Sequence, residues 1–95
     1  ENGYFIDSLG WAYYQQGRYP EALKELRRAV EKTKEPDPVI YDHLGDAYLK
    51  NGLNDEALTA WEKALQLDPA LEGVKKKIDD LKDRGRVTGG PKASQ

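Results

Sequence analysis

The sequence predicts an all-α fold, an array of antiparallel helix hairpins with five helices in all. Apolar residues recur at helical spacing, as in Ile6, Leu9, Gly10 and Tyr13, which follow i, i+3, i+4, i+7. The chain also repeats itself: Leu9-Gly10-Trp11-Ala12-Tyr13 returns as Leu44-Gly45-Asp46-Ala47-Tyr48 at an offset of 35 residues. Finally, Gly17 and Gly52 interrupt the pattern at matching places, where a helix must stop and the chain turn back.

The helices are expected near 4–16, 20–34, 38–51, 55–67 and 69–84. In the first, Ile6, Leu9, Gly10 and Tyr13 form the packing stripe, and Tyr13 and Tyr48 read as core side chains. The second carries Ala22, Leu26, Ala29 and Val30 on one face; the fourth matches it with Ala57, Trp61, Ala64 and Leu65. Asp37-Pro38 and Asp68-Pro69 each offer a side-chain acceptor at an N-cap and a preset φ at the first helical position. Asn54 is expected to cap the helix that starts Asp55-Glu56, whose acids suit its positive end. The last segment has the narrow stripe Leu71, Val74, Ile78, Leu81 on a charged cylinder, so it can bury one side only and end a stack. Residues 85–95 are expected to form a flexible tail. Small residues at 10, 22, 45 and 57 let the axes of each hairpin approach closely.

Composition narrows the function. Of 95 residues, 38% are apolar and 34% charged, which argues against a large enzyme core with a deep pocket. A net charge of −2 is too balanced for an overall nucleic-acid or membrane-surface binder. There is no cysteine and one histidine, His43, so thiolate sites are excluded and no metal or cofactor is expected. No apolar run approaches the ~20 residues of a membrane span, and no targeting segment is visible; a cytoplasmic location is the default expectation. The chain contains no methionine, and it is expected to be part of a longer protein.

The order Leu44, Gly45, Ala47, Tyr48, Gly52, Ala57, Trp61, Ala64 and Pro69, with Asp68 before the proline, resembles the tetratricopeptide repeat. The first unit supplies Leu9, Gly10, Ala12, Tyr13, Gly17, Ala22, Leu26 and Ala29, departing from the pattern at Ile6 and Lys34. The extra residue of the 35-residue period falls in Lys34-Glu35-Pro36-Asp37. The resemblance implies a right-handed α-α superhelix over residues 3–84, with one repeat at about 3–37, a second at about 38–68 and a capping helix at about 69–84. It also implies a non-catalytic scaffold in which the first helices of successive units line a concave, partner-binding face.

On that face the first unit would present Tyr4, Asp7, Ser8, Trp11, Tyr14 and Gln15, and the second Val39, Asp42, His43, Asp46, Leu49 and Lys50. Trp11 lies opposite the packing stripe with no obvious internal work. It reads either as an anchor for a partner or as a cover for a neighbouring repeat. Asp7, Asp42 and Asp46 would favour a peptide bringing lysine or arginine, unless they are simply a solvated face. Chaperone-binding members of the family hold a C-terminal carboxylate with lysine and asparagines; Asp7, Trp11 and His43 stand at matching positions, so that clamp looks absent. Phe5 and Ala12 would face a preceding repeat or, through the N-terminal hairpin, a second copy in a weak homodimer.

Two rival readings compete with a binding scaffold. Ser8 and His43, with Asp42 or Asp46 orienting the histidine, could suggest catalysis, but nothing supplies an oxyanion hole. Residues 1–71 carry eight basic and thirteen acidic groups, whereas 72–95 carry seven and four. Lys75, Lys76, Lys77, Lys82, Arg84, Arg86 and Lys92 could therefore meet nucleic acid or an anionic surface. Against this, Lys75–Asp79, Lys76–Asp80 and Asp80–Arg84 have the i, i+4 spacing of a solvated helix, and no aromatic residues accompany them.

Overall fold

The structure is a computed structural model and describes residues 2–89, with side chains through Arg84. Five helices follow one another: α1 (Gly3–Gln15), α2 (Tyr19–Lys32), α3 (Pro38–Lys50), α4 (Asn54–Leu67) and α5 (Glu72–Gly89). No strand occurs among the described residues. α1 pairs with α2 and α3 with α4 as hairpins, α2 packs on α3, and α5 closes over α4.

The hairpin turns owe their shape to the two glycines. Gly17 and Gly52 have φ of 78° and 77°, a left-handed conformation open to glycine at no steric cost. In each turn the two N–H groups at and after the glycine reach back to the helix. Arg18 donates to the Tyr13 carbonyl at 2.9 Å and Gly17 to Tyr14 at 3.0 Å; Leu53 and Gly52 repeat this with Tyr48 and Leu49 at the same distances. This paired arrangement satisfies carbonyls that a helix end leaves free.

Axes approach closely where glycine meets a large side chain. A Cβ on Gly45 would fall inside the Trp61 indole, and one on Gly10 would lie 2.7 Å from Leu26 Cγ. Trp61 is 1% exposed and its Nε1 donates to the Asp42 carbonyl at 3.3 Å, so the indole is both packed and satisfied. Asn51 joins the hairpins, its amide donating to the carbonyls of Tyr19 at 3.0 Å and Ala47 at 2.7 Å.

The core is a chain of small clusters. Ile6, Ala29 and Ile40 meet where the first hairpin joins α3; Leu26, Leu44, Ala47 and Ala60 follow; Ala57, Trp61, Ala64, Val74, Ile78 and Leu81 close the C-terminal end. Each helix seals its neighbour, as a repeat array requires.

Several expectations change. Leu9, on the packing stripe by periodicity, is 43% exposed, and Phe5 is 78% exposed. Their equivalents one unit on, Ile40 and Leu44, are 2% and 6% exposed, because α2 covers α3 while no described helix covers α1 on that side. Asn54 is the first helical residue, not the cap; the turn places Leu53 at the boundary, where no side chain caps. Asp37 does cap, accepting from Val39 N–H at 2.8 Å. Asp68 instead accepts from Ala70 N–H at 3.1 Å, so Asp68-Pro69 makes a turn and α5 starts at Glu72. Thr33 ends α2 early, its hydroxyl donating to the Ala29 carbonyl at 2.7 Å. α5, expected to stop near 84, continues to Gly89, so the expected tail loses 85–89 to helix. No proline falls between Pro69 and Pro91, and single glycines weaken a helix without ending it. Residues 90–95 of that expected tail lie outside the described residues.

Candidate functional site

α1, α3 and α5 stand side by side, and their side chains meet across one face. Trp11 of α1 is stacked with Tyr14 one turn on, centroids 4.5 Å apart and planes 8° apart. It is also stacked with His43 of α3 at 4.1 Å and 17°. Tyr14 in turn meets the edge of Tyr19 at 5.3 Å, and the Lys50 ammonium lies 5.6 Å from the Tyr19 ring. The sequence assigned Trp11 no internal work; the structure corrects this, since Trp11 joins two first helices through stacked rings.

A polar ladder runs beside the rings. Asp7 of α1 lies 2.9 Å from His43 Nδ1. One unit on, Lys77 of α5 donates to Asp42 at 2.8 Å and to both oxygens of Asp46 at 2.9 and 3.0 Å. Lys77 stands 34 residues after His43, and Asp42 stands 35 after Asp7, so one pairing rule operates twice with different chemistry. The histidine is therefore oriented by Asp7, not by Asp42 or Asp46 as the catalytic reading supposed. The acids expected to set a preference for basic peptides are already met from within the molecule.

Burial and charge act against each other at this site. Burial pushes the Asp46 carboxyl up, more than its bonds to Lys77 bring it down. For Lys77 burial works to lower the ammonium, but hydrogen bonds and attraction from Asp42 and Asp46 outweigh it and leave it raised. The Tyr14 hydroxyl is raised by burial, with Asp46 adding to it. Tyr4, exposed at the start of α1, is raised by its bond to the Asp37 carboxylate.

The remaining expected residues are scattered more loosely. Ser8, Gln15 and Lys50 are exposed, as is Val39, while Leu49 is partly buried against the C-terminal core cluster and lines a groove beside Lys50. Between α3 and α5 a groove of about 340 Å³ is lined by Tyr14, Asp46, Lys50, Trp61, Lys77 and Arg84. In sequence Lys77 and Arg84 stand out only as part of a basic segment; a charge pattern on one helix gives no sign that α3 supplies the partner of Lys77. Of that segment, Lys76 lies 3.4 Å from Asp80 and Lys82 lies 3.8 Å from Glu62, so with Lys77 at least three of its cations have acidic neighbours. Arg86 and Lys92 lie outside the described side chains. Among the described residues no helix is long and apolar enough to cross a membrane.

Comparison with known proteins agrees with this architecture. A wheat (Triticum aestivum) Hsp70-Hsp90 organizing protein is 41% identical over 66 residues, covering 68% of this chain and 11% of that protein. A chloroplastic tetratricopeptide repeat domain-containing protein of Arabidopsis thaliana, PYG7, is 30% identical over 84 residues, 88% of this chain and 28% of its own length. A cytochrome P450 monooxygenase of Talaromyces variabilis, pvhE, is 43% identical over 49 residues, half of this chain and 9% of the enzyme. The chain thus spans between 9% and 28% of these relatives. The tetratricopeptide repeat family model matches residues 8–72, over two units built from paired helices, glycine turns and close axis contacts, and the chain belongs to that family.

Proposed function

We propose that the face formed by α1, α3 and α5 binds an extended peptide or a partner helix. The repeat architecture supports a protein–protein interaction role, and the finer reading rests on one observation: Trp11, Tyr14 and His43 form an ordered, half-buried ring stack on that face. Rings already held in place lose little freedom when a partner arrives, and aromatic anchors dominate interface energies. Tyr4 extends the apolar row, and Ser8, Gln15 and Lys50 supply polar contacts beside it. The mechanism is recognition without chemistry.

Because His43 and Lys77 already pair with Asp7, Asp42 and Asp46, charge selects weakly, and a preference for basic peptides is a secondary feature. A lysine and asparagine carboxylate clamp is not formed by Asp7, Trp11 and His43, which separates the reading from chaperone-tail capture. Capture of binding proteins by the wild type and by Trp11→Ala tests the proposal. Loss of capture in a variant that keeps its helical circular dichroism supports it, and equal capture of every partner removes it. Phe5 and Ala12, on the uncovered side of α1, provide a second and weaker surface, for a neighbouring repeat or a second copy.

A further inference from the structure

The acids facing α1 and α5 from α3 are met from within the molecule, by Lys77. The opposite side of α3 is built differently. At about 100° per residue, Tyr41, Leu44 and Tyr48 point away from Asp42 and Asp46. They line a groove of about 550 Å³ together with one face of α4. Leu44 and Ala60, both nearly buried, form its apolar base, and the half-buried rings of Tyr41 and Tyr48 stand beside them. At one end lie Asp55 and Glu56, and Lys63 lies about 12 Å further along α4, two turns on. Among the described residues, no hydrogen bond or ion pair engages the two tyrosine hydroxyls, the two carboxylates or the Lys63 ammonium.

We propose that this groove docks an amphipathic helix of another protein. The helix lays its apolar stripe on Leu44 and Ala60, sets a lysine or arginine against Asp55 and Glu56, and brings an acid to Lys63. Two antiparallel helices leave between them a groove that accepts the ridge of a third. The molecule already uses α4 in this way, since α5 seats the stripe Val74, Ile78, Leu81 against Trp61 and Ala64. Charge complementarity sets the partner's chemistry, because an acidic end and a basic end two turns apart match opposite charges at the same spacing on the incoming helix.

The charged end belongs to the second unit. One unit earlier Leu9 and Arg28, the counterparts of Leu44 and Lys63, line a smaller groove of about 340 Å³. There Pro20 stands in place of Asp55, and Glu21, in place of Glu56, is paired with Arg18.

The probe is a fluorescein-labelled, alanine-based helical peptide with leucines at i, i+4 and i+7, lysines at one end of the stripe and glutamates at the other. Two control peptides carry lysine at both ends or glutamate at both ends. Fluorescence anisotropy is expected to rank the two-signed peptide tightest and the all-glutamate peptide weakest. Asp55→Asn combined with Glu56→Gln is expected to weaken the two-signed peptide by about fivefold, the effect of losing exposed charge pairs. Thr59→Arg, an exposed position on the groove wall, is expected to block it, and Trp11→Ala to bind it like wild type. Equal affinity for all three peptides overturns the proposal, as does binding that is lost in Trp11→Ala. Self-association abolished by Thr59→Arg hands the groove to a second copy and also overturns it. Circular dichroism checks each variant, and the paired carboxylate change decides if Thr59→Arg does not fold. The site is separate from the Trp11 face, so either can fail while the other stands.

Discussion

Lys77 on α5 donates to Asp42 on α3 at 2.8 Å, at the position where, one unit earlier, His43 meets Asp7 at 2.9 Å. The repeat preserves the geometry of a link between successive first helices and varies its chemistry. In the second link Lys77 also reaches Asp46, so one cation serves two half-buried carboxylates.

Lys77→Met is expected to destabilise the chain by about 1 kcal/mol, a modest value because more than a third of the side chain stays in solvent, which screens the pairing. The sign of the pH dependence follows from Lys77 being raised above the free-lysine value of 10.5. Its contribution is whole below that value and is lost as pH rises through the higher folded one. Denaturant unfolding of wild type and variant should therefore differ by a constant amount from neutrality to about pH 10 and converge above it. A gap that persists undiminished at strongly alkaline pH would contradict this.

Asp46 behaves oppositely, because burial raises its carboxyl and its ionised form opposes folding. Its cost is relieved as pH falls through the raised value. In the Lys77→Met background, Asp46→Asn is expected to restore part of the lost stability by removing an uncompensated charge, read again from denaturant midpoints. No recovery would place the loss in packing against Trp61, 5.9 Å from the ammonium, instead of in charge.

Glycines separate by what surrounds them. Gly45→Leu is expected to abolish cooperative melting, and Gly45→Ala to cost about 1–3 kcal/mol, since a Cβ there collides with a ring packed on all sides. Gly73 has nothing within 4 Å of an added Cβ, and Gly73→Ala should gain about 0.5–1 kcal/mol from helix propensity. Thermal melts of these variants check the ordering. An unchanged Gly45→Leu melt would refute the close hairpin contact.

Sequence alone conveyed the helix count, the glycine turns and the small-residue contacts, because those follow from spacing within one segment. What it missed depends on which segments face each other. Leu9 reads as core by periodicity, yet is exposed because no described helix packs on that side of α1. Asp7–His43 and Lys77–Asp42 join residues 36 and 35 positions apart, so neither charge pattern nor helical period reveals them. Trp11 was recognisable as unusual, but its stacking on His43 needed the second helix in place.

The two tryptophans should divide stability from recognition. Trp61 fills the C-terminal cluster and is almost wholly buried, so Trp61→Ala is expected to cost about 3–5 kcal/mol and to unfold a chain this small. Trp11 is half-buried on the groove face, and its truncation removes two ring contacts without opening a core cavity. Trp11→Ala should therefore cost about 1–3 kcal/mol, two ring contacts at about 0.5–1.5 kcal/mol each, while losing partner capture.

The N-terminal face gives the last prediction. α1 holds one charged residue, Asp7, which is turned to His43, whereas α5 is densely charged on its outer side. Water suits the second end of the stack and not the first, where Phe5 and Leu9 lie open. Fully covering one aromatic removes only ~150–250 Å², far short of the ~1,200 Å² that stable pairs bury. A second copy on this face should therefore associate weakly, with a sedimentation coefficient that rises only at high protein concentration. Phe5→Asp is expected to hold the chain monomeric throughout, because a charge at the centre of so small a contact cannot be paired. A wild type that stays strictly monomeric at high concentration leaves the face to a neighbouring repeat.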